Sequence, residues 1–292
     1  MALRVRGETV EEITGAARSM RAKANKIISP KGAMDNVGTG GDSSGTYNIS
    51  TASSFVVSAA GVPIAKHGNR ALSSKTGAAD VLTQLGVDLD CKMELVQSSM
   101  NEAGICFLMA PRHHTAMRHV ADPRIQLATR TIFNLLGPIA NPADVTRQLV
   151  GEFSEDWVEP VAEVLKSLGS ERAWVVHGSD GLDEITTTGK TKVASLEDGA
   201  VTIFEIHPRE AGIKLAEPKQ LVGGEPEENA NALLSIFNGE RNAYRDIVVL
   251  NSAACLIIAG KAKNLTEGAS IASDMIDSGK ALEKLEALKE IT

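Results

Sequence analysis

Aromatic side chains make up only 3% of this chain, which leaves few flat faces on which nucleic-acid bases could stack. Positive charge is not in excess either: 30 Lys and Arg stand against 37 Asp and Glu, a net charge of −7. Both facts argue against wholesale binding to nucleic acid or to an anionic membrane surface, while leaving room for a local basic pocket. Cysteine is scarce. Cys91, Cys106 and Cys255 are odd in number, far apart and form no Cys-x-x-Cys pair, so no disulfide framework or zinc site is expected, and a reducing cytoplasm is. No apolar run reaches the length of about 18 residues that a membrane span needs, and Met1 to Gly7 holds no apolar segment of signal-peptide length.

What is present is a chain of 292 residues, 43% of them hydrophobic, enough for one large α/β domain or a large and a small one around a sizeable core. The stretch that organises it is Gly38 to Thr51, GTGGDSSGTYNIST. Gly38, Gly40, Gly41 and Gly45 let the backbone approach a ligand closely, and Asp42, Thr46, Asn48, Ser50 and Thr51 supply polar side chains. A short strand from Met34 to Val37 leads in, and a helix over Ala52 to Ala60 leads out. Strand, glycine loop and helix together gather free N–H groups around an anion. The loop is neither a Walker loop nor a complete G-x-G-x-x-G fingerprint, since Ser43 occupies the third glycine position. The bland alternative is a surface turn followed by a helix capped by Ser or Thr.

Elsewhere the patterning is regular. Thr9 to Lys26 reads as a helix, with Thr9 and Glu12 spaced as a capping box. Val62 to Ala65 reads as a buried strand delivering Lys66, His67, Gly68, Asn69 and Arg70 to its carboxyl end, where open α/β sheets place ligands. Met93 to Ala103 and Arg124 to Asn134 read as helices, the latter closed by Gly137-Pro138 and carrying Arg130 beside an apolar stripe. A guanidinium so placed is either a surface ion-pair partner or a clamp for a carboxylate. His113, His114 and His119 follow the strand Ile105 to Ala110; His114 and His119 do not share a helix face, so one histidine touching substrate is expected rather than a metal site. Gln148 to Phe153 and Ala173 to Val176 read as strands. The loop after the second carries Asp183 and Glu184, hard oxygen ligands suited to Mg²⁺. Lys192 to Leu196 and Val201 to Ile206 read as a hairpin about Asp198-Gly199, and four helices close the chain over 229–237, 244–259, 265–277 and 281–288. Alternating strands and helices from Met34 to Val176 give an α/β fold with a central, mainly parallel sheet flanked by helices.

Five blocks, GTGGDSSGTYNIST, KHGNRALSSKTGAADVL, HHTAMRHVADPR with RTIFNLLGPIANP, GSDGLDEI, and GGEPEENA with NSAACL, occur in an order and spacing that is similar to the anthranilate phosphoribosyltransferases of tryptophan biosynthesis. The resemblance covers nearly the whole chain. It implies a nucleoside phosphorylase/phosphoribosyltransferase-type fold: residues 1–30 as the remnant of a small helical domain, completed by helices around 93–140, and residues 31–292 as an α/β phosphoribosyl-binding domain. It implies a homodimer formed through the helical domain. Family members start about forty residues earlier, so either the start is truncated here or the dimer interface is reduced. Phosphoribosyl pyrophosphate would lie against Gly38, Gly41, Asp42, Thr46, Asn48, Ile49, Ser50, Thr51, Lys66, His67, Gly68, Asn69, Arg70, Ser73, Ser74 and position 78. The last is Ala78 in this chain, where many members have a serine, so one hydrogen bond is missing. Anthranilate would meet Gly38, Asn69, His114 and Arg130, and Mg²⁺ would sit on Ser50, Asp183 and Glu184.

The implied chemistry joins the anthranilate amine to C1 of the phosphoribosyl group and expels pyrophosphate. An arylamine is already a neutral nucleophile at pH 7, so the barrier lies in carbon–oxygen cleavage through an oxocarbenium-like state. Lys66, Mg²⁺ and the glycine loop would stabilise the leaving group, Arg130 would aim the acceptor, and His114 is the candidate base. Two rival readings are a nucleoside phosphorylase-like enzyme, which has no evident use for Arg130, and a non-catalytic nucleic-acid-binding relative, which the charge and the few aromatics oppose.

Overall fold

The computed structural model describes residues 1–42, 44–71, 75–127 and 129–292; Ser73 and Ser74 lie outside the described residues. Two helices begin the chain, α1 (Ala2–Arg6) and α2 (Val10–Ala22). Thr9 caps α2: its hydroxyl accepts the Glu12 N–H at 3.3 Å while Glu12 reaches back to the Thr9 N–H at 3.1 Å, the reciprocal bonding that the Thr-x-x-Glu spacing dictates. Next come β1 (Met34–Gly38), α3 (Ile49–Ala59), β2 (Ile64–Gly68), α4 (Ala78–Gln84), α5 (Met93–Glu102) and β3 (Ile105–Met109). Three helices, α6 (Ala110–His113), α7 (Arg118–Leu127) and α8 (Ile132–Ile139), lead to β4 (Arg147–Gly151), α9 (Val158–Ser167) and β5 (Arg172–Gly178). The hairpin β6 (Thr191–Glu197) and β7 (Ala200–Ile206) precedes α10 (Pro226–Phe237), α11 (Ala243–Ile258), α12 (Leu265–Asp277) and α13 (Lys280–Ile291).

Among the described residues the strands form one sheet in the order β3-β2-β1-β4-β5-β6-β7. The pairs from β3 through β5 are parallel, and β6 and β7 add antiparallel to one edge. The hairpin turns on Asp198 (φ 49°) and Gly199 (φ 73°), both left-handed, as a two-residue turn between twisted strands requires. β1 and β4 are neighbours in register, Gly38 beside Gly151, yet the chain leaves β1 toward β2 and leaves β4 toward β5. Such a divergence opens a crevice at the carboxyl ends of the strands.

Helices cover both faces. Phe55, Val56, Leu82, Leu233, Tyr244, Ile247, Leu250 and Ile276 belong to the apolar layer on one side, where α11 is buried along almost its whole length. Ile13 and Ala17 of α2 join Leu135, Leu136, Val161 and Leu165 on the other. No helix among the described residues is long and apolar enough to cross a membrane, and Cys91, Cys106 and Cys255 are buried and free.

Two expectations are corrected. The helix expected over Arg124 to Asn134 is two helices, with Arg130 in the linker between them. The break comes from Thr131, whose backbone is extended (φ −141°, ψ 174°) and whose N–H is accepted by Asn134 Oδ1 at 3.0 Å: a new helix is capped there, and it carries Gly137-Pro138 inside it rather than ending before them. The strand expected over Val62 to Ala65 starts after Pro63, which has no N–H to give to a ladder, and extends to Gly68. Lys66 and His67 are therefore strand residues, paired in register with Phe107 and Leu108.

Candidate active site

The glycine loop leaves β1 at the crevice and returns into α3. Asn48 stands at the N-cap of α3 with no side-chain cap; its Oδ1 is instead taken by Asn229 Nδ2 at 3.0 Å. The helix N-terminus thus presents Ile49, Ser50 and Thr51 to a cavity of about 300 Å³, with the dipole favouring an anion. This differs from the bland alternative, in which Ser or Thr would have closed the helix. The loop is braced by a segment remote in sequence: Gly223 N–H donates to Gly45 O at 2.8 Å and Tyr47 N–H to Leu221 O at 3.0 Å, and the same segment is held by Thr76 Oγ1, which donates to Gly224 O at 2.8 Å.

Across the cavity lie the end of β2 and the loop after β5. Lys66 is buried, donates to Asn36 O at 2.6 Å and faces Asp35 and Glu184. Burial pulls its pKa below the ordinary lysine value, and those two carboxylates partly restore it. Asp183 lies over the ends of β1 and β4. A Cβ on Gly151 would stand 1.6 Å from the backbone oxygen of Asp183, and one on Gly38 would stand 2.3 Å from Asp183 Oδ2, so a side chain at 151 meets packed backbone and one at 38 displaces the Asp183 carboxylate. Gly40 N–H donates to Asp183 Oδ2 at 2.6 Å and Ser50 N–H to Glu184 Oε1 at 3.1 Å.

The acidic pair is electrostatically unbalanced. Burial, then the charges of Asp42 and Glu184, raise Asp183 well above the carboxylate range. Burial pushes Glu184 up to about 7, although Lys66 and Ser50 oppose it. Asp42 Oδ2 is buried without a partner. Crowded, desolvated carboxylates beside an anion site are the donor set a hard divalent cation fits. Among the described residues no three His, Cys, Asp or Glu side chains are grouped so as to hold a metal, so an ion at this pair would need further oxygens from a ligand.

A second cavity of about 420 Å³ adjoins the first. Gly38, His67, Gly68, Asn69 and Asn134 line both. Its further walls include Met20, Pro111, His114, Phe133 and Pro138, with Arg118 and Arg124 as cations. Arg124 Cζ lies 5.4 Å from the centroid of the Phe133 ring. His67 and His114 meet edge to face at 5.1 Å, and burial pushes them down to about 3 and about 4 respectively, so both are neutral at pH 7. One cavity is polar and suits a phosphorylated sugar; the other is apolar with guanidinium groups and suits a flat carboxylate.

The chain matches the family model described as glycosyl transferase family, a/b domain, over residues 30–282, and the corresponding helical bundle domain over residues 1–24. The anthranilate phosphoribosyltransferase of Paramagnetospirillum magneticum is 61% identical over 292 residues, all of this chain and 84% of that protein. The Azospirillum brasilense protein of the same name is 62% identical, over all of this chain and 82% of its own length. The crystal structure of anthranilate phosphoribosyltransferase from Thermus thermophilus superposes with a TM-score of 0.94 at 42% identity, over 99% of this chain and 87% of that one. The Saccharomyces cerevisiae enzyme in complex with PRPP and Mg gives 0.91 at 31% identity, over 99% and 82%. The chain belongs to the anthranilate phosphoribosyltransferase family.

Of the positions expected from that family, Gly38, Gly41, Asp42, Thr46, Asn48, Ile49, Ser50, Thr51, Lys66, His67, Gly68, Asn69, Arg70, Ala78, Asp183 and Glu184 all line the first cavity, and Gly38, Asn69 and His114 line the second. Arg130 lines neither cavity. Its guanidinium donates to Gly41 O and lies over the Phe153 ring, on the linker that the helix break leaves between α7 and α8. Of the other histidines, His113 is buried with Nδ1 on Asn25 O at 2.6 Å, and His119 is exposed. Asn134, which lines both cavities, and Arg118 and Arg124, which line the second, are site residues beyond those expected from the sequence. The Thr-x-x-Asn spacing at Thr131 was the signal that would have ended the helix early and left Arg124, not Arg130, on the apolar wall.

Proposed function

We propose that this chain transfers the phosphoribosyl group of phosphoribosyl pyrophosphate to the amine of anthranilate, giving N-(5-phosphoribosyl)anthranilate and pyrophosphate in tryptophan biosynthesis. The observation that carries this reading is the adjacency of two unlike cavities with a common wall at Gly38, His67, Gly68, Asn69 and Asn134. A sugar phosphate held in the first and an arylamine held in the second would present C1 and the amine to each other at that wall, and such positioning lowers the barrier to a bimolecular step. The α3 N-terminus, the glycine loop and Lys66 favour negative charge on the departing pyrophosphate. Neutral His67 and His114 leave the amine free to attack. Arg124, on the wall beside Phe133, takes the role of carboxylate clamp first expected of Arg130.

Mg²⁺ would be held by Asp183 and Glu184 with Ser50; when bound it neutralises charge on the leaving pyrophosphate. The reading extends to a cytoplasmic enzyme, in keeping with three free cysteines. It also extends to a homodimer formed through a small helical domain over 1–30 and helices within 93–140, with 31–292 as the phosphoribosyl-binding domain. Anthranilate fluorescence followed with and without phosphoribosyl pyrophosphate and Mg²⁺ tests the activity: loss of signal only when both are present is expected. Asp183→Asn with Glu184→Gln should abolish it. Consumption without the sugar phosphate, or none with it, rejects the reading.

A further inference from the structure

Arg130 stands on the linker between α7 and α8, and its guanidinium carbon lies 3.7 Å from the centroid of the Phe153 ring. Nη2 donates to the carbonyl oxygen of Gly41, a residue at φ 72° that lines the first cavity. The surroundings hold this arm in place. Arg130 O accepts from Arg4 Nη1 at 2.8 Å, and the next residue, Thr131, caps α8. Phe153, beneath the guanidinium, is tied to the same loop, since its N–H donates to Thr39 Oγ1 at 3.0 Å and Thr39 N–H donates to Gly151 O at 2.9 Å. Buried Glu152, whose two carboxyl oxygens have no hydrogen-bond partner, is raised well above the carboxylate range by burial and then by Asp183, and the Arg130 charge opposes that rise.

The consequence follows from peptide geometry. No peptide bond among the described residues is cis, and in a trans peptide the C=O of one residue and the N–H of the next point in opposite directions. Gly41 O is taken by Arg130, which is not among the cavity's lining residues, whereas Gly41 and Asp42 are; the Asp42 N–H of the same trans peptide points away from Arg130. Glycine at 41 makes the reverse orientation of this peptide cheap, and that reversal would aim a carbonyl oxygen at a bound phosphate. We infer that Arg130 is a positioning residue: it locks the Gly41–Asp42 peptide with its donor toward the pyrophosphate group, from outside the cavity and without touching either substrate. This inference rests on the phosphoribosyl transfer proposed above. It assigns Arg130 to the sugar-phosphate side of the reaction and not to the acceptor side.

The test measures phosphoribosyl pyrophosphate binding with Mg²⁺ by isothermal titration calorimetry, and both KM values, for the wild type, Arg130→Gln and Arg130→Met. Met keeps an apolar chain on Phe153 and removes the donor, so it carries the test should the Gln variant fold poorly. The dissociation constant and KM for phosphoribosyl pyrophosphate should rise about tenfold, the size of one charge-assisted hydrogen bond. The anthranilate KM at saturating sugar phosphate should stay within about twofold, below the scale of any single hydrogen bond to a charge. A lowered melting temperature with unchanged sugar-phosphate affinity per folded molecule overturns the inference, and so does a rise in the anthranilate KM as large as that for the sugar phosphate. A wild type that binds no phosphoribosyl pyrophosphate rejects the functional reading instead, before any variant is compared.

Discussion

Asn251 grips both backbone groups of Ile185, accepting its N–H on Oδ1 at 3.0 Å and donating from Nδ2 to its carbonyl at 2.8 Å. Asn251 is fully buried on α11, and Nδ2 also reaches Ile247 O at 2.9 Å. The residue held this way is the one directly after Asp183 and Glu184. On the other side of the pair, Asp180 Oδ2 accepts from Thr186 and Thr188 hydroxyls at 2.7 and 2.6 Å. The acidic pair therefore sits on a loop pinned to a core helix.

Replacing Asn251 by Leu should leave the buried N–H and C=O of Ile185 without partners, at about 1–3 kcal/mol each. Urea unfolding will read that loss. Because Glu184 moves with Ile185, the Mg²⁺ concentration for half-maximal turnover should also rise, by about tenfold for a shift worth one hydrogen bond. A stability loss with an unmoved Mg²⁺ midpoint would confine Asn251 to the core.

Gly38 and Gly151 should respond differently to alanine. At Gly151 the new methyl would fall 1.6 Å from the Asp183 carbonyl, which is backbone; at Gly38 the nearest atom is the carboxylate oxygen Asp183 Oδ2, at 2.3 Å, and the Asp183 carbonyl stands off at 3.0 Å. A side chain can turn aside and a packed backbone cannot. Gly38→Ala should fold and lose Mg²⁺-dependent turnover, whereas Gly151→Ala should be markedly less stable, as circular dichroism melts will show. Full activity in Gly38→Ala would mean that Asp183 does not need its present position.

Several local signals are legible. Thr9 and Glu12 marked the start of α2, the Asp198-Gly199 pair marked the hairpin, and Leu265–Asp277 is a helix with the bounds its apolar spacing gave. The glycine loop and the loop after β5 were legible as ligand-binding because their composition serves little else. Two features depend on chain segments far apart in sequence, and a third on a local cap hidden in an apolar stripe. Asn251 and Ile185 meet only because α11 packs beneath the loop after β5. Glu152 follows β4 like any strand-end residue, yet it is fully buried and feels the charge of Asp183, 31 residues away in sequence. The separation of Arg124 from Arg130 depends on one capped turn at Thr131, and an apolar stripe read as continuous conceals it.

Arg124→Ala should raise the anthranilate KM by about tenfold to a hundredfold, the range for a hydrogen bond to a charged group, and leave binding of phosphoribosyl pyrophosphate unchanged. Steady-state kinetics with each substrate varied at saturating levels of the other will check it. The guanidinium is half-buried on the apolar wall, where Phe133 holds its face, so its charge is less screened than that of exposed Arg118. An unmoved anthranilate KM would return the clamp to another residue.

His67 should imprint a pH dependence that only a variant comparison reveals. Its Nδ1 lies 3.1 Å from Gly137 O, Nε2 is buried without a partner, and burial followed by the nearness of His114 pushes the ring down to about 3. The unfolded chain takes up a proton at this position near pH 6.5, whereas the folded chain resists until about pH 3. The histidine thus contributes stability above pH 6.5 that is lost progressively as the pH falls toward 3. Raised carboxylates act with the opposite sign. Asp35, pushed by burial up to about 6, favours the folded state below its unfolded pKa and loses that advantage as the pH rises through 6. The wild-type curve alone sums these opposing slopes. The gap between wild type and His67→Asn, which keeps an amide donor for Gly137 O, cancels the carboxylates. Measured by urea unfolding between pH 6.5 and 5, that gap should narrow on acidification with a slope that approaches about 1.4 kcal/mol per pH unit. A gap that stays constant would mean that His67 takes up its proton in the folded protein as readily as in the unfolded chain, and the acceptor cavity would then gain a positive charge facing the amine on acidification.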